Sequence, residues 1–326
     1  MNQTRPLSYK RAICYSGFRD NQSPDTGVFP SESEILEDLL LLSGHWSALR
    51  VYACDVHTER VLRTIEQERL PFKVMLGAYI GAEVNNPNCP WGGVYEDATL
   101  AANKAANRAE LDRAIAWANR YADIVDVVSV GNEATVDWTD HLIEPETVKA
   151  YASDVRSQIK QPVTFCENYV PWLTSLEALA VSLDVISIHT YPVWEYKTLD
   201  EAMDYTRKNF EAVQARYPDK QVIITEAGWA TASNGRGIPP DNAGEMLQRQ
   251  YLEQLLSWAE EQQILVYVFE AFDENWKGSD HPLEPEKHWG LYRADRSAKP
   301  ALSIQREYSP KFTNTNTRRV WSAYSD

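Results

Sequence analysis

The chain has 326 residues, 44% hydrophobic and 24% charged, which is ample material for a core and shows no compositional sign of disorder. That length exceeds a small stapled module and suits one α/β barrel of about 250 residues plus insertions, so a single domain over 1–326 is expected. The net charge of −15 argues against nucleic acid or an anionic membrane as partner, because both are bound through clustered Lys and Arg that release counterions.

The first β-rich run, 12–18, is reached without an apolar stretch of signal-peptide length, and no later segment approaches the roughly 18 apolar residues of a membrane span. A cytoplasmic address is the expectation. Pro30-Ser31-Glu32-Ser33-Glu34 then precedes Ile35-Leu36 and Leu39-Leu40, and Ser31 with Glu34 has the spacing of a capping box at a helix start. Further runs rich in Val, Ile and aromatics stand at 48–54, 73–80, 126–133, 162–169, 184–192, 221–229 and 265–273, several nearly continuous in apolar character, as parallel strands buried on both faces require. Helical periods separate them at 59–69, 107–121, 145–158, 200–216 and 242–262, with a weak one around Leu173 to Ser182. Eight βα units joined by right-handed crossovers predict a closed (β/α)8 TIM barrel. Extended loops are expected at 81–106, after strand three, and at 274–290, after strand eight. The tail from about 309, rich in Thr, Asn and Arg, is expected to be loosely held.

Cys14, Cys54, Cys89 and Cys166 lack paired metal-ligand spacing, and three lie in apolar runs, so they read as reduced thiols. The six histidines are equally scattered, and no Gly-x-Gly-x-x-Gly after a strand, Walker, Gly-x-Ser-x-Gly or His-Glu-x-x-His motif occurs. Neither metal nor cofactor is expected.

Chemistry in a barrel belongs at the C-terminal ends of its strands. Glu133 closes the fourth run and Glu226 the seventh, and these strands face one another across the barrel mouth. Two carboxyl groups flanking one bond suit glycoside cleavage, one protonating the leaving oxygen and the other, ionised, attacking the anomeric carbon. Arg50 and Tyr52 end the second run, where a buried Arg could hold a carboxylate ionised. Tyr191 ends the sixth beside the seventh, Asn132 could bond a sugar hydroxyl, and His189 reads more readily as a satisfied core polar residue. Trp138, Trp172, Trp194, Trp229 and Trp276 follow strands four to eight and are candidates to stack on the C–H face of a sugar, whereas Trp117 and Trp258 lie in helical periods and read as core.

With these residues in view, the chain resembles glycoside hydrolase family 17, the β-1,3-glucanase family of clan A barrels, and more closely its bacterial and fungal branch than the plant endoglucanases. The resemblance covers most of the chain. It is carried by Leu49-Arg50-Val51-Tyr52, Val130-Gly131-Asn132-Glu133, His189-Thr190-Tyr191-Pro192, Thr225-Glu226-Ala227-Gly228-Trp229, Phe272-Asp273-Glu274-Asn275-Trp276-Lys277 and His288-Trp289-Gly290-Leu291. It implies Glu133 as acid/base, Glu226 as nucleophile, Glu274 and Lys277 as supporting polar residues, no cofactor, and a β-glucan oligosaccharide or polysaccharide as substrate. Ala230 stands where plant members commonly carry proline, and the 81–106 insertion is unlike theirs, which counts against plant-style endo-cleavage. The expectation is a retaining hydrolase that trims laminarin-derived oligosaccharides from chain ends. The rival readings are a β-1,3-glucosyltransferase using the same covalent intermediate and a non-catalytic carbohydrate-binding barrel.

Overall fold

The computed structural model describes residues 6–303; the tail expectation lies outside them. Eight strands, β1 (Arg11–Cys14), β2 (Ala48–Val51), β3 (Lys73–Ala78), β4 (Val125–Asn132), β5 (Val163–Asn168), β6 (Val185–His189), β7 (Gln221–Ala227) and β8 (Val266–Val268), pair in sequence order and close into a parallel barrel. The intervening helices are α1 (Glu32–Ser43), α2 (Val56–Glu68), α3 (Asp97–Arg120), α4 (Pro145–Gln158), the short α5 (Tyr169–Thr174) and α6 (Glu177–Ala180), α7 (Leu199–Arg216) and α8 (Glu245–Gln262).

Side-chain alternation along the strands explains two apolar layers. Ala12, Cys14, Ala48, Met75, Val127, Cys166, Ile223 and Tyr267 fill one buried cluster, inside the barrel. Their neighbours Ile13, Leu49, Val74, Val128 and Ile224 join the larger cluster that packs beneath the helices. Close strand approach makes one demand on side-chain size. A Cβ on Gly77 would lie 2.5 Å from the Val51 carbonyl oxygen, so only glycine lets β3 pass β2 at that level.

Local signals set the helix starts. The Ser31–Glu34 capping box is formed, with Ser31 Oγ accepting from the Glu34 amide and the Glu34 carboxylate accepting from the Ser31 amide. A second box, Thr198 with Glu201, opens α7, and Asp55 caps α2 through the Thr58 amide at 3.0 Å.

Three expectations change. Residues 97–106, expected in the loop after strand three, are the first turns of α3, so that loop spans 81–96. The weak helical stretch after strand five is two short helices. The eighth run leaves the ladder after Val268, because the backbone amides of Glu270, Asp273 and Glu274 pair with the carbonyls of Trp289, Tyr292 and Lys287 instead of with a neighbouring strand. The four cysteines are free thiols, with Cys54 just past the end of β2. Among the described residues no helix is long and apolar enough to cross a membrane.

Candidate active site

At the C-terminal ends of the strands lies a cleft of about 1100 Å³ that takes side chains from at or just beyond the end of every one of the eight. Glu133 and Glu226 both line it, as do Asn132, Tyr52, Tyr191, Trp138, Trp276 and Lys277. Glu133 projects from an unusual backbone. Gly131 at φ +96° and Glu133 at φ +44° bend the end of β4 out of its ladder, and Ile143 and Cys166 anchor the turn by backbone hydrogen bonds to Ala134 and Glu133.

Glu226 is buried and surrounded by donors. Arg50, itself buried, donates from Nη1 to Oε1 at 2.5 Å; Tyr52 donates to the same oxygen at 3.1 Å, and Tyr191 to Oε2 at 2.6 Å. Burial alone would push this carboxyl up. The opposing charges of His189 and Arg50, with the Tyr191 hydroxyl, outweigh it and hold the pKa down at about 2. Arg50 spends its other nitrogen, Nη2, on the Asn132 side-chain oxygen, which orients the Asn132 amide nitrogen away from Arg50. The Asn132 carbonyl is itself taken by His141 Nε2 at 2.8 Å.

Between the carboxylates sits His189, fully buried, with Nδ1 2.9 Å from Glu133 Oε1 and 3.5 Å from Glu226 Oε2. Burial works against its charge, yet the carboxylates, Glu226 foremost, raise it to about 10, so the ring is an imidazolium at neutral pH. One oxygen of each glutamate and a His189 ring nitrogen lie within 4.8 Å of one another, the one constellation among the described residues that could hold a metal ion. Two resident positive charges, Arg50 and protonated His189, oppose a cation there. The same spacing suits a bond held between two carboxyl groups.

The remaining candidates divide. Arg50 lies under the floor and acts on Glu226 and Asn132 instead of lining the cleft as a substrate contact. Trp172 is buried, its indole donating to the Ser187 carbonyl at 3.0 Å and packing edge-on to Phe165; Trp229 is buried against Tyr251 and donates to the Asn242 carbonyl at 2.8 Å. Both are core residues, which corrects their expected contact with substrate. Glu274 is fully buried and receives Ser16 Oγ, the Trp276 indole and Lys277, so it supports the wall instead of facing a ligand. Lys277 reaches the cleft while bridging Glu270 at 2.7 Å and Glu274 at 2.5 Å.

Sequence reasoning missed several participants. His189 was read as core, although its place at the end of β6 was the available signal. Trp289 and Glu286, from the loop after β8, line the cleft, and Trp289 packs against Tyr191 and Trp194. Glu167, at the end of β5, accepts from the Thr135 amide and hydroxyl and from the Asn168 amide, fixing the chain just beyond Glu133. Burial first, then the charge of Glu133, raises its pKa to about 7.

A family model described as the BtgE/BtgC glycoside hydrolase domain matches residues 12–290. Among curated proteins, the probable glucan endo-1,3-beta-glucosidase btgC of Aspergillus clavatus is 25% identical over 299 residues, covering 84% of this chain and 40% of that protein. The protein of the same name from Aspergillus flavus is 27% identical over 306 residues with the same coverage, so the chain spans about 40% of the length of these relatives. Among solved structures, an endo-laminarinase from Formosa Hel1_33_131 aligns with a TM-score of 0.76 and 26% identity over 90% of this chain and 85% of that one. A Rhizomucor miehei β-1,3-glucanosyltransferase mutant in complex with laminaritriose shares the fold, with a TM-score of 0.70, 21% identity, and 90% and 97% coverage.

Proposed function

This chain belongs to the BtgE/BtgC glycoside hydrolase family, and from that premise we propose that it cleaves β-1,3-glucan by a retaining double displacement. The observation that carries the reading is the carboxylate pair. Oxygens of Glu133 and Glu226 approach within 4.8 Å, near the ~5–5.5 Å of retaining enzymes and well below the ~6.5–9.5 Å that an inverting enzyme needs to seat its water. Glu226, kept ionised by Arg50 and His189, attacks the anomeric carbon while Glu133 gives its proton to the departing oxygen. The C–O bond breaks and a glucosyl ester forms on Glu226. Glu133, now a carboxylate, takes a proton from water, whose oxygen displaces Glu226 and restores both groups.

The β-1,3 linkage is supported by the names of the btgC relatives and of the laminarinase neighbour, and the placement within glycoside hydrolase family 17 by a solved neighbour so described. A cleft of about 1100 Å³ exceeds the roughly 300–1,000 Å³ of a drug-sized site, which supports an oligosaccharide occupying several positions. Aromatic side chains from several strand ends line the cleft together with the carboxylates, Tyr79 and Trp138 from the loops after β3 and β4, Tyr169 from the start of α5 and Trp194 from the loop after β6. Such a lining offers stacking partners to several sugar rings, a feature shared by cleavage within a short chain and by the chain-end trimming expected from sequence. The same arrangement supports a second reading, transfer, because an acceptor sugar seated beyond the scissile bond would compete with water.

A time course on β-1,3-, β-1,4- and β-1,6-linked oligosaccharides tests linkage, mode and transfer together. Internal fragments first mean internal cleavage, early glucose means trimming, and products longer than the substrate mean transfer. Glu133→Gln should lower turnover about 10²–10⁴-fold, and Glu226→Ala should abolish it while laminari-oligosaccharide still binds. Unchanged turnover in Glu226→Ala would remove the nucleophile assignment, whereas a wild type that binds laminari-oligosaccharide without cleaving it would leave a carbohydrate-binding barrel as the better reading. Retention is read from the first-formed anomer by NMR, β if the mechanism holds and α if it does not.

A further inference from the structure

The loop of residues 81–96 has a construction that cleavage itself does not require. It carries Trp91, 61% exposed, into the same cleft as Trp138, 41% exposed, and Tyr79, 46% exposed. Large aromatic faces left in water are costly for a protein surface and mark a ligand site when they cluster on a concave wall. A floppy loop would fold such rings away. This one is strapped to the loop after β4. The Asn86 side chain is buried and donates to the carbonyls of Asp137 and Thr139, each at 2.7 Å, while Tyr95 donates to the Asp140 carbonyl at 2.8 Å. Cys89 donates from Sγ to the Trp138 carbonyl, so the segment bearing one indole holds the segment bearing the other. Beneath them, the His141 ring packs at a tilt against Tyr79, centroids 5.2 Å apart, and holds the Asn132 carbonyl, connecting the wall to the residue before Glu133.

We propose that Trp91, Trp138 and Tyr79 form a preorganised aromatic subsite for glucosyl units distal to the bond cleaved, making the enzyme selective for chain length. This rests on the β-glucan reading above. An equatorially substituted pyranose ring presents flat C–H faces that stack on an indole, and rings fixed before binding incur little of the ordering cost that a mobile loop would. Polar groups beside the rings can meet the hydroxyls at the rim, among them Asn103 on α3.

The test is kcat/KM across laminari-oligosaccharides from two to seven glucose units for the wild type, Trp91→Ala and Trp91→Phe. In Trp91→Ala the longest substrates should lose roughly tenfold more kcat/KM than the shortest one cleaved, with the loss in KM, and Trp91→Phe should recover most of it. Equal losses at every length, or a loss confined to kcat, would overturn the subsite while leaving β-1,3-glucan cleavage intact. A wild-type protein inert on every β-1,3-oligosaccharide would overturn the functional reading, and the subsite with it.

Discussion

The charge on Glu226 is maintained by its neighbours against its own burial, and Arg50 is the neighbour most easily separated from the rest. Arg50→Ala removes a 2.5 Å partner from the buried carboxylate. We expect kcat/KM to fall about 10²–10³-fold, with the acidic limb of the pH–rate profile moving to higher pH as the carboxyl pKa rises from its depressed value. A uniform loss with an unmoved acidic limb would mean that Arg50 only shapes the floor. Arg50→Lys tests the fork geometry, since a single ammonium cannot serve both Glu226 and Asn132 as the guanidinium does. At this scale the sequence was informative where a polar residue ended an apolar run, as at Arg50, Tyr52, Asn132, Glu133, Tyr191 and Glu226. It was silent on direction. Trp172 and Trp229 follow strand ends just as Trp138 and Trp276 do, yet the first two turn outward beneath helices and the others into the cleft, a difference made by local chain rotation that residue type does not encode. His189 was misread because burial and apolar neighbours describe a charged active-site histidine as well as a core one.

The end of β4 is the element on which the geometry of the site most depends. Gly131 adopts φ +96°, and a Cβ there would lie 3.0 Å from the Phe165 ring, so Gly131→Ala meets both an unfavourable backbone region and a packed neighbour. The destabilisation should be about 1–3 kcal/mol, read as a lower melting temperature. Activity measured well below that temperature should fall further than the unfolded fraction explains, because Glu133 leaves the same turn. A folded Gly131→Ala with wild-type activity would show that the turn does not position Glu133. The strap of the 81–96 loop gives a parallel case. Asn86→Ala leaves the buried Thr139 carbonyl and the Asp137 carbonyl without their donor, a cost of about 1–3 kcal/mol, and should reproduce the length-dependent KM defect of Trp91→Ala without touching a ring. All eight strands were legible because continuous apolar runs bounded by helical periods admit little else. The start of α3 was not, since Asp97-Ala-Thr-Leu-Ala-Ala-Asn-Lys-Ala-Ala-Asn has high helix propensity without an apolar stripe, and Glu96 makes no side-chain cap. Strand ends were overestimated for a related reason. The runs continue as loops whose apolar residues line or support the cleft, as Phe269 and Phe272 do after β8.

For the whole molecule, the site's electrostatics become a dependence of stability on pH. Glu226 is depressed to about 2 from 4.5, so its contribution is present above about 4.5 and lost as pH falls through 2. His189 is raised from 6.5 to about 10, so its contribution is complete below 6.5 and lost as pH rises through 10. The two are partners, and these windows describe one attraction seen from either side, not two separate gains. Glu167 acts in the opposite sense to Glu226. Raised from 4.5 to about 7, it is at its least costly while protonated, and it destabilises the fold progressively as pH climbs from 4.5 through 7. Glu167→Gln keeps one acceptor oxygen, enough for Thr135 but not also for the Asn168 amide, while removing the proton equilibrium. Its melting temperature should therefore fall less than that of the wild type between pH 5 and pH 8, a difference readable by thermal scanning at matched ionic strength. Parallel curves for the two proteins would place the Glu167 pKa in the ordinary carboxylate range.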